Sequence, residues 1–192
     1  MKYIIVIMFS LTTSILHSQV PNFKTNVTSN DSFEVISPVE FLFRFKSSGE
    51  FLLSYSETSY DEYRIDSMRM VVLEGDSCRL IKFSHSDTRS HIPMVSYSDT
   101  VVTRKSAVQL LSNLSSLGFW TLEDKHLGGE PRTNVNEAGK SKTLRFDLMT
   151  DSSYRKIVLN RPDVSDNQDS INSFYTARNY FMKFWKQFFK KD

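Results

Sequence analysis

Cysteine occurs once in these 192 residues, at Cys78, so no disulfide can close within the chain. Cys78 lies in the middle of an alternating apolar segment and not at an electropositive helix start, which makes it a small buried side chain and not a nucleophile. Glycine is scarce, with six in all, and the one adjacent pair, Gly128-Gly129, lacks the Lys-Ser/Thr that completes a phosphate loop. No serine stands in a Gly-x-Ser-x-Gly elbow. An excess of one charge is also lacking: 24 Lys and Arg against 22 Asp and Glu leave +2, far from the basic balance of a general nucleic-acid binder, so no nucleic acid is expected as partner.

The apolar run at the start is shorter than the roughly 20 residues a spanning helix needs, and it is interrupted by Ser10, Thr12, Thr13 and Ser14. With Lys2 before it and Ser18 at a plausible cleavage point, residues 1–18 read as a secretory signal peptide. The expected location is therefore exported, periplasmic or extracellular. Ser18-Gln19 stand where a lipoprotein needs cysteine. Residues 19–32 are polar and read as a flexible tether, leaving residues 33–192 as a single domain large enough to bury a core without staples.

What is present is patterning. Phe41, Phe43 and Phe45 alternate with Leu42, Arg44 and Lys46; Phe51, Leu53 and Tyr55 follow the Ser47-to-Glu50 turn, and the pair reads as a β-hairpin. Met68, Met70 and Val72 alternate ahead of Gly75-Asp76, and Arg79, Ile81 and Phe83 after it, giving a second hairpin. Residues 94–103 form a further strand, and Pro93 at its start suggests a sheet edge. Leu144, Phe146 and Leu148, a turn over 150–153, and residues 154–159 make a third hairpin.

Two helices complete the set. Ala107, Leu110, Leu111, Leu114 and Leu117 recur at helical spacing, with Ser106 and Gln109 placed as a capping box and Gly118 as the stop. The second runs from Ile171 to about Lys190, with Ser170 as its expected cap and Phe174, Tyr175, Phe181, Phe184, Trp185, Phe188 and Phe189 among its apolar residues. The order predicts an α+β fold: an antiparallel sheet of about six to seven strands in hairpins, with two helices packed on one face.

Residues 124–141 join the first helix to the third hairpin with three Gly, one Pro and only Leu127 and Val135 as sizeable apolar side chains. So long a connection inside a domain is functional or simply mobile. It offers His126, Glu130 and Arg132, beside Trp120, as candidate binding residues. His85, Asp87 and His91 are candidate metal ligands, since two imidazoles and a carboxylate can hold zinc, although their spacing matches no established zinc motif. No catalytic residue stands out and no cofactor is expected. The first expectation is an exported non-catalytic binding domain of the bacterial periplasm or cell envelope, whose partner is a protein or an envelope component. The alternative is an exported hydrolase, metal-assisted through His85, Asp87 and His91. A third is a membrane-peripheral structural protein that touches the bilayer through the last helix, which requires an exposed aromatic face between Phe181 and Phe189. The pattern sets no oligomeric state.

Overall fold

The computed structural model describes residues 21, 42, 46, 49–60, 64–86, 94–123, 127, 141–160 and 167–189. Within them the strands are β1 (Phe51–Tyr60), β2 (Arg64–Glu74), β3 (Ser77–Ser86), β4 (Met94–Thr103), β5 (Ser141–Met149) and β6 (Tyr154–Asn160). The helices are α1 (Arg104–Ser116) and α2 (Gln168–Trp185), with a single 3-10 turn at Phe119–Thr121. The strands form one antiparallel sheet in the order β4-β3-β2-β1-β5-β6. The chain meanders from β1 at the centre to β4 at one edge, and after α1 it resumes on the other side of β1 with β5. This is the α+β class that the alternation predicts, and residues 94–103 do form an edge strand.

Both faces of the central strands are apolar, because successive side chains point to opposite sides of the sheet. Phe51, Leu53, Tyr55, Val71, Leu73, Leu80, Phe146 and Leu148 meet Leu110, Leu111 and Leu114 of α1 and Ile171, Phe174, Phe181 and Trp185 of α2 in the main core. Phe146 is its aromatic hub, with ring centroids at 4.9 Å from Tyr55, 4.9 Å from Phe119, 5.2 Å from Phe174 and 5.8 Å from Phe181. The last three are edge-to-face and the Tyr55 pair is tilted at 46°, and such aromatic packing adds about 0.5–1.5 kcal/mol per pair beyond the buried area. Leu52, Met70, Val72, Ile81, Met149 and Tyr154 form a smaller cluster on the opposite face, closed by Leu42.

Leu42 corrects the first hairpin. It and Lys46 are helical, not extended, and Lys46 O accepts the Gly49 N–H at 2.7 Å as the chain turns into β1. Four residues apart, they share one side of a helical turn, which puts Leu42 on the second apolar face and sends Lys46 to an ion pair with Asp151. A short apolar run does not distinguish strand from helix by period alone, and here the uncovered sheet face decides. Phe41, Phe43 and Phe45 lie outside the described residues, as do the expected signal peptide and, Pro21 apart, the tether. Gly49 is needed for close approach, since a Cβ there would meet Val72 Cγ1 at 2.5 Å and Leu73 O at 3.0 Å.

Helix ends also differ from expectation. α1 begins at Arg104, with extended Thr103 ahead of it, and the capping box does not close. Ser106 Oγ shares a hydrogen bond with Thr103 Oγ1 at 3.0 Å, and Gln109 Nε2 donates to Asn113 Oδ1 at 2.9 Å. The Arg104 N–H, one of the four helix-start donors with no partner inside the helix, donates to Asp76 O at 2.9 Å, so the β2–β3 turn satisfies it. The stop is as expected: Gly118 adopts φ 64° just past the helix, and its N–H reaches Ser115 O at 3.0 Å. α2 is capped by Asn167, whose Oδ1 accepts the Ser170 N–H at 3.0 Å, so Ser170 is inside the helix.

Candidate functional site

α2 is amphipathic. Ile171, Phe174, Ala177, Phe181, Phe184 and Trp185 are buried, while Asn172, Asn179, Lys183 and Lys186 are exposed. Arg178 falls on the boundary of the buried stripe, one position past Ala177, and reaches across to β1. There Tyr55 and Glu57, two residues apart, point to the same sheet face. Tyr55 Oη donates to Glu57 Oε1 at 2.6 Å, Arg178 Nε donates to Tyr55 Oη at 2.6 Å, and Arg178 Nη2 donates to Glu57 Oε1 at 2.8 Å. The guanidinium also stands 5.7 Å from the centroid of the Tyr55 ring.

Two members of this triad, the Tyr55 phenol and the Arg178 guanidinium, keep their protons near neutral pH. Burial, reinforced by the hydrogen bond to Glu57 and its charge, pushes the Tyr55 phenol well above its ordinary range, and Arg178 only partly opposes that. For Arg178, burial acts to lower the value, but the hydrogen bonds to Glu57 and Tyr55 outweigh it and hold the group above its usual range. An arginine so fixed presents its remaining donors in a set direction.

Arg178, Asn179, Met182, Lys183 and Lys186 line a groove of about 350 Å³ along the outer side of α2. The sheet face that carries Tyr55 continues outward in register through Arg69, Lys82 and Ser98. Arg69 Nη1 lies 3.4 Å from Ser67 Oγ, and its buried Nε has no hydrogen-bond partner. Three of the five groove residues are cationic, with one Met for an apolar contact and one Asn as a neutral donor and acceptor. That set suits a carboxylate or phosphate on a partly apolar group.

A second polar cluster lies on the other sheet face. Asp147 is 1 % exposed, and Ser54 Oγ donates to it at 3.2 Å, Arg145 Nε at 2.8 Å and Tyr154 Oη at 2.7 Å. Burial, with the charge of Asp147, raises the Tyr154 phenol; for Arg145, burial acts downward but Asp147 and Tyr154 outweigh it and raise the value. The donors of Ser54, Arg145 and Tyr154 are directed at the carboxylate or, from Arg145 Nη2 to Tyr154 Oη at 2.7 Å, at one another, so the cluster knits β1, β5 and β6 together and leaves little for a ligand. The single cysteine offers no chemistry either: burial pushes the Cys78 thiol up to about 12.

Of the site residues singled out from sequence, His85 and Trp120 fall among the described residues. His85 is half-buried near the end of β3, paired in register with Asp66 of β2 and Val95 of β4, and thus on a strand and not in a loop. Asp87 and His91 lie outside the described residues, and among the described residues no three His, Cys, Asp or Glu converge as a metal-holding group. Trp120 is 9 % exposed, packed at 5.3 Å from Phe119 and 6.2 Å from Phe51 between ring centroids, with Nε1 donating to Ser115 Oγ at 2.7 Å. His126, Glu130 and Arg132 lie outside the described residues. Phe181, Phe184 and Trp185 are buried, and Phe188 and Phe189 are half-buried against the main core. Among the described residues no helix is long and apolar enough to cross a membrane.

Tyr55, Glu57, Arg178 and Arg69 are absent from the sequence-based candidates. One signal existed: an arginine at the margin of an otherwise apolar helical stripe needs a partner on the surface it packs against. No family model matches the chain, and a search of curated proteins finds no match.

Proposed function

We propose that this chain is an exported, non-catalytic binding domain of the bacterial periplasm or cell envelope, which engages an anionic group on a protein or envelope component through the groove along α2. The observation that carries the reading is the line of Arg178, Lys183 and Lys186 along one groove, with Arg178 held in place by Tyr55 and Glu57. Glu57 offsets the charge of Arg178, so the positive excess along the groove comes from Lys183 and Lys186, and against a net charge of only +2 it favours anionic partners over neutral ones. Met182 adds an adaptable apolar contact, which suits a carboxylate carried on an organic group better than a bare ion.

The test is a chemical-shift titration of the labelled protein with an acidic peptide, its amidated neutral counterpart and inorganic phosphate. Shifts focused on Arg178, Asn179, Lys183 and Lys186 with the acidic peptide, abolished in Lys183→Glu/Lys186→Glu, support the reading. Equal shifts with the neutral peptide, or no change in the double variant, sink it. Export has its own check: the protein recovered from the envelope should begin near Gln19, and an intact Met1 in the soluble fraction would count against it.

A further inference from the structure

β4 is the outermost strand on its side of the sheet, ten residues long, and among the described residues no strand pairs with its outer edge. Its sequence, MVSYSDTVVT, has neither the lysine nor the proline that commonly guards an edge. The opposite edge strand, β6, has seven residues and includes Arg155 and Lys156. Tyr97 and Val101 are the exposed large hydrophobic residues of the described chain, at 52 % and 64 %, and both stand on β4. An exposed edge of that length, with Asp99 as its one charged residue, is among the described residues a template for another strand.

The backbone phase of the edge can be read from one bond. Arg104 N–H donates to Asp76 O, continuing the β3–β4 register in which Thr103 faces Ser77. In an antiparallel ladder the bonding residues alternate, so even-numbered β4 residues bond to β3 and odd-numbered ones turn their N–H and C=O outward. A second copy can therefore pair only in registers that bring odd residues opposite odd residues. A two-fold axis at Asp99 would set the two Asp99 carboxylates directly opposite, which like charges resist. An axis at Ser98 instead sets Tyr97 opposite the partner copy's Asp99, and Val101 opposite the partner copy's Val95. In the single chain Tyr97 Oη already donates to Asp99 Oδ2 at 3.1 Å, so the hydroxyl and carboxylate are suited to exchange that bond across the axis. The Ser98 axis also engages nearly the whole strand, from Met94 to Val102.

We infer that the chain forms a two-fold dimer by antiparallel β4–β4 pairing centred on Ser98, which joins two six-stranded sheets into one continuous sheet. The interface is isologous, and one set of residues supplies both halves. It places the α2 grooves of the two copies at fixed separation on one platform.

The experiment uses the purified chain. Sedimentation equilibrium should show a dimer that dissociates on dilution, and Val101→Lys, which changes an exposed side chain, should raise the dissociation constant at least about tenfold while leaving the thermal midpoint of the monomer unchanged. Mild oxidation of Ser98→Cys should cross-link the dimer, because a directly opposed non-bonded pair has Cα atoms about 4.5 Å apart, inside the disulfide range. Cys78 is wholly buried and does not compete. A wild-type protein that stays monomeric at all concentrations overturns the inference. So does a dimer indifferent to Val101→Lys, or one in which Ser98→Cys fails to cross-link.

Discussion

Arg178 Nε lies 2.6 Å from Tyr55 Oη, a bond that ties α2 to β1 across 123 positions of sequence. Tyr55 is wholly buried, and its hydroxyl is bonded to Arg178 and Glu57. Tyr55→Phe keeps the ring packing and removes the central hydroxyl. Urea melts should show a loss of about 1 kcal/mol, the usual net worth of such a bond, with the far-UV spectrum unchanged. Arg178→Met should lose a comparable amount, since the ion pair with Glu57 is partly exposed and screened by water. In the double variant the two losses should fall short of adding, because they share one network.

Alkaline stability follows from the same burial. Cys78, Tyr55 and Tyr154 all have folded-state values raised above their ordinary 9.0 and 10.0, in each case chiefly by burial. A group whose folded value is raised contributes stability that is whole below the unfolded value and drains as pH rises toward the folded one. Cys78 opens the window, from 9.0 up to about 12, and the two phenols join from 10.0. Unfolding free energy from denaturant titrations should thus be unaffected by these groups below pH 9 and fall above it, with the onset moved upward in Cys78→Ala. A Cys78→Ala protein whose alkaline onset is unchanged would place the thiol in a wetter setting.

Asp147 tests the second face. Removing its carboxylate in Asp147→Ala takes the shared acceptor away from Arg145, Tyr154 and Ser54, and the loss should be roughly 3 kcal/mol, in the range for breaking a buried pair. Replacing Arg145 with Met in the same background should recover part of that loss, because the orphaned charge goes with it. A protein that tolerates Asp147→Ala without change in its denaturation midpoint would mean that water already reaches this cluster.

The sheet was legible because period two is a strong signal wherever hairpins follow one another: Met68 to Val72 and Arg79 to Phe83 pair as expected around Gly75. What the alternation did not reveal was which face mattered more. Met70, Val72 and Ile81, the residues that mark those strands in sequence, face the smaller cluster, while the main core takes Val71, Leu73 and Leu80 from between them. Strands buried on both sides have no polar phase to announce the inner one. Leu42 was misread for a related reason, since a helical turn over a sheet face and a strand beside it both need apolar residues at short intervals. The site was largely illegible. Tyr55 and Arg178 have ordinary local contexts, and their meeting is a product of how α2 crosses the sheet, which no local spacing encodes.

Leu127 carries the last prediction. On sequence grounds residues 124–141 have little apolar surface to bury, and replacing residues 128–139 with a short link should leave stability nearly unchanged. The structure places Leu127 in the main core at 0 % exposure, in the same cluster as Leu114 of α1 and Ile157 of β6. That side chain anchors the start of a connection whose one other sizeable apolar residue is Val135, and its burial is worth as much as that of a helical leucine. Leu127→Ala should therefore cost roughly 2–5 kcal/mol, like Leu111→Ala and Leu114→Ala, through lost burial and the cavity left behind. Replacing residues 128–139 with a short Gly-Ser link, with Leu127 kept, should cost far less, because loop closure changes by only about 0.6 kcal/mol per doubling of length. Thermal and urea melts of the three leucine variants beside the shortened loop distinguish the cases. If Leu127→Ala melts with the wild type while Leu114→Ala does not, the connection is unanchored; if the shortened loop falls as far as Leu127→Ala, apolar burial extends beyond Leu127 into the segment that its composition marks as solvent-facing.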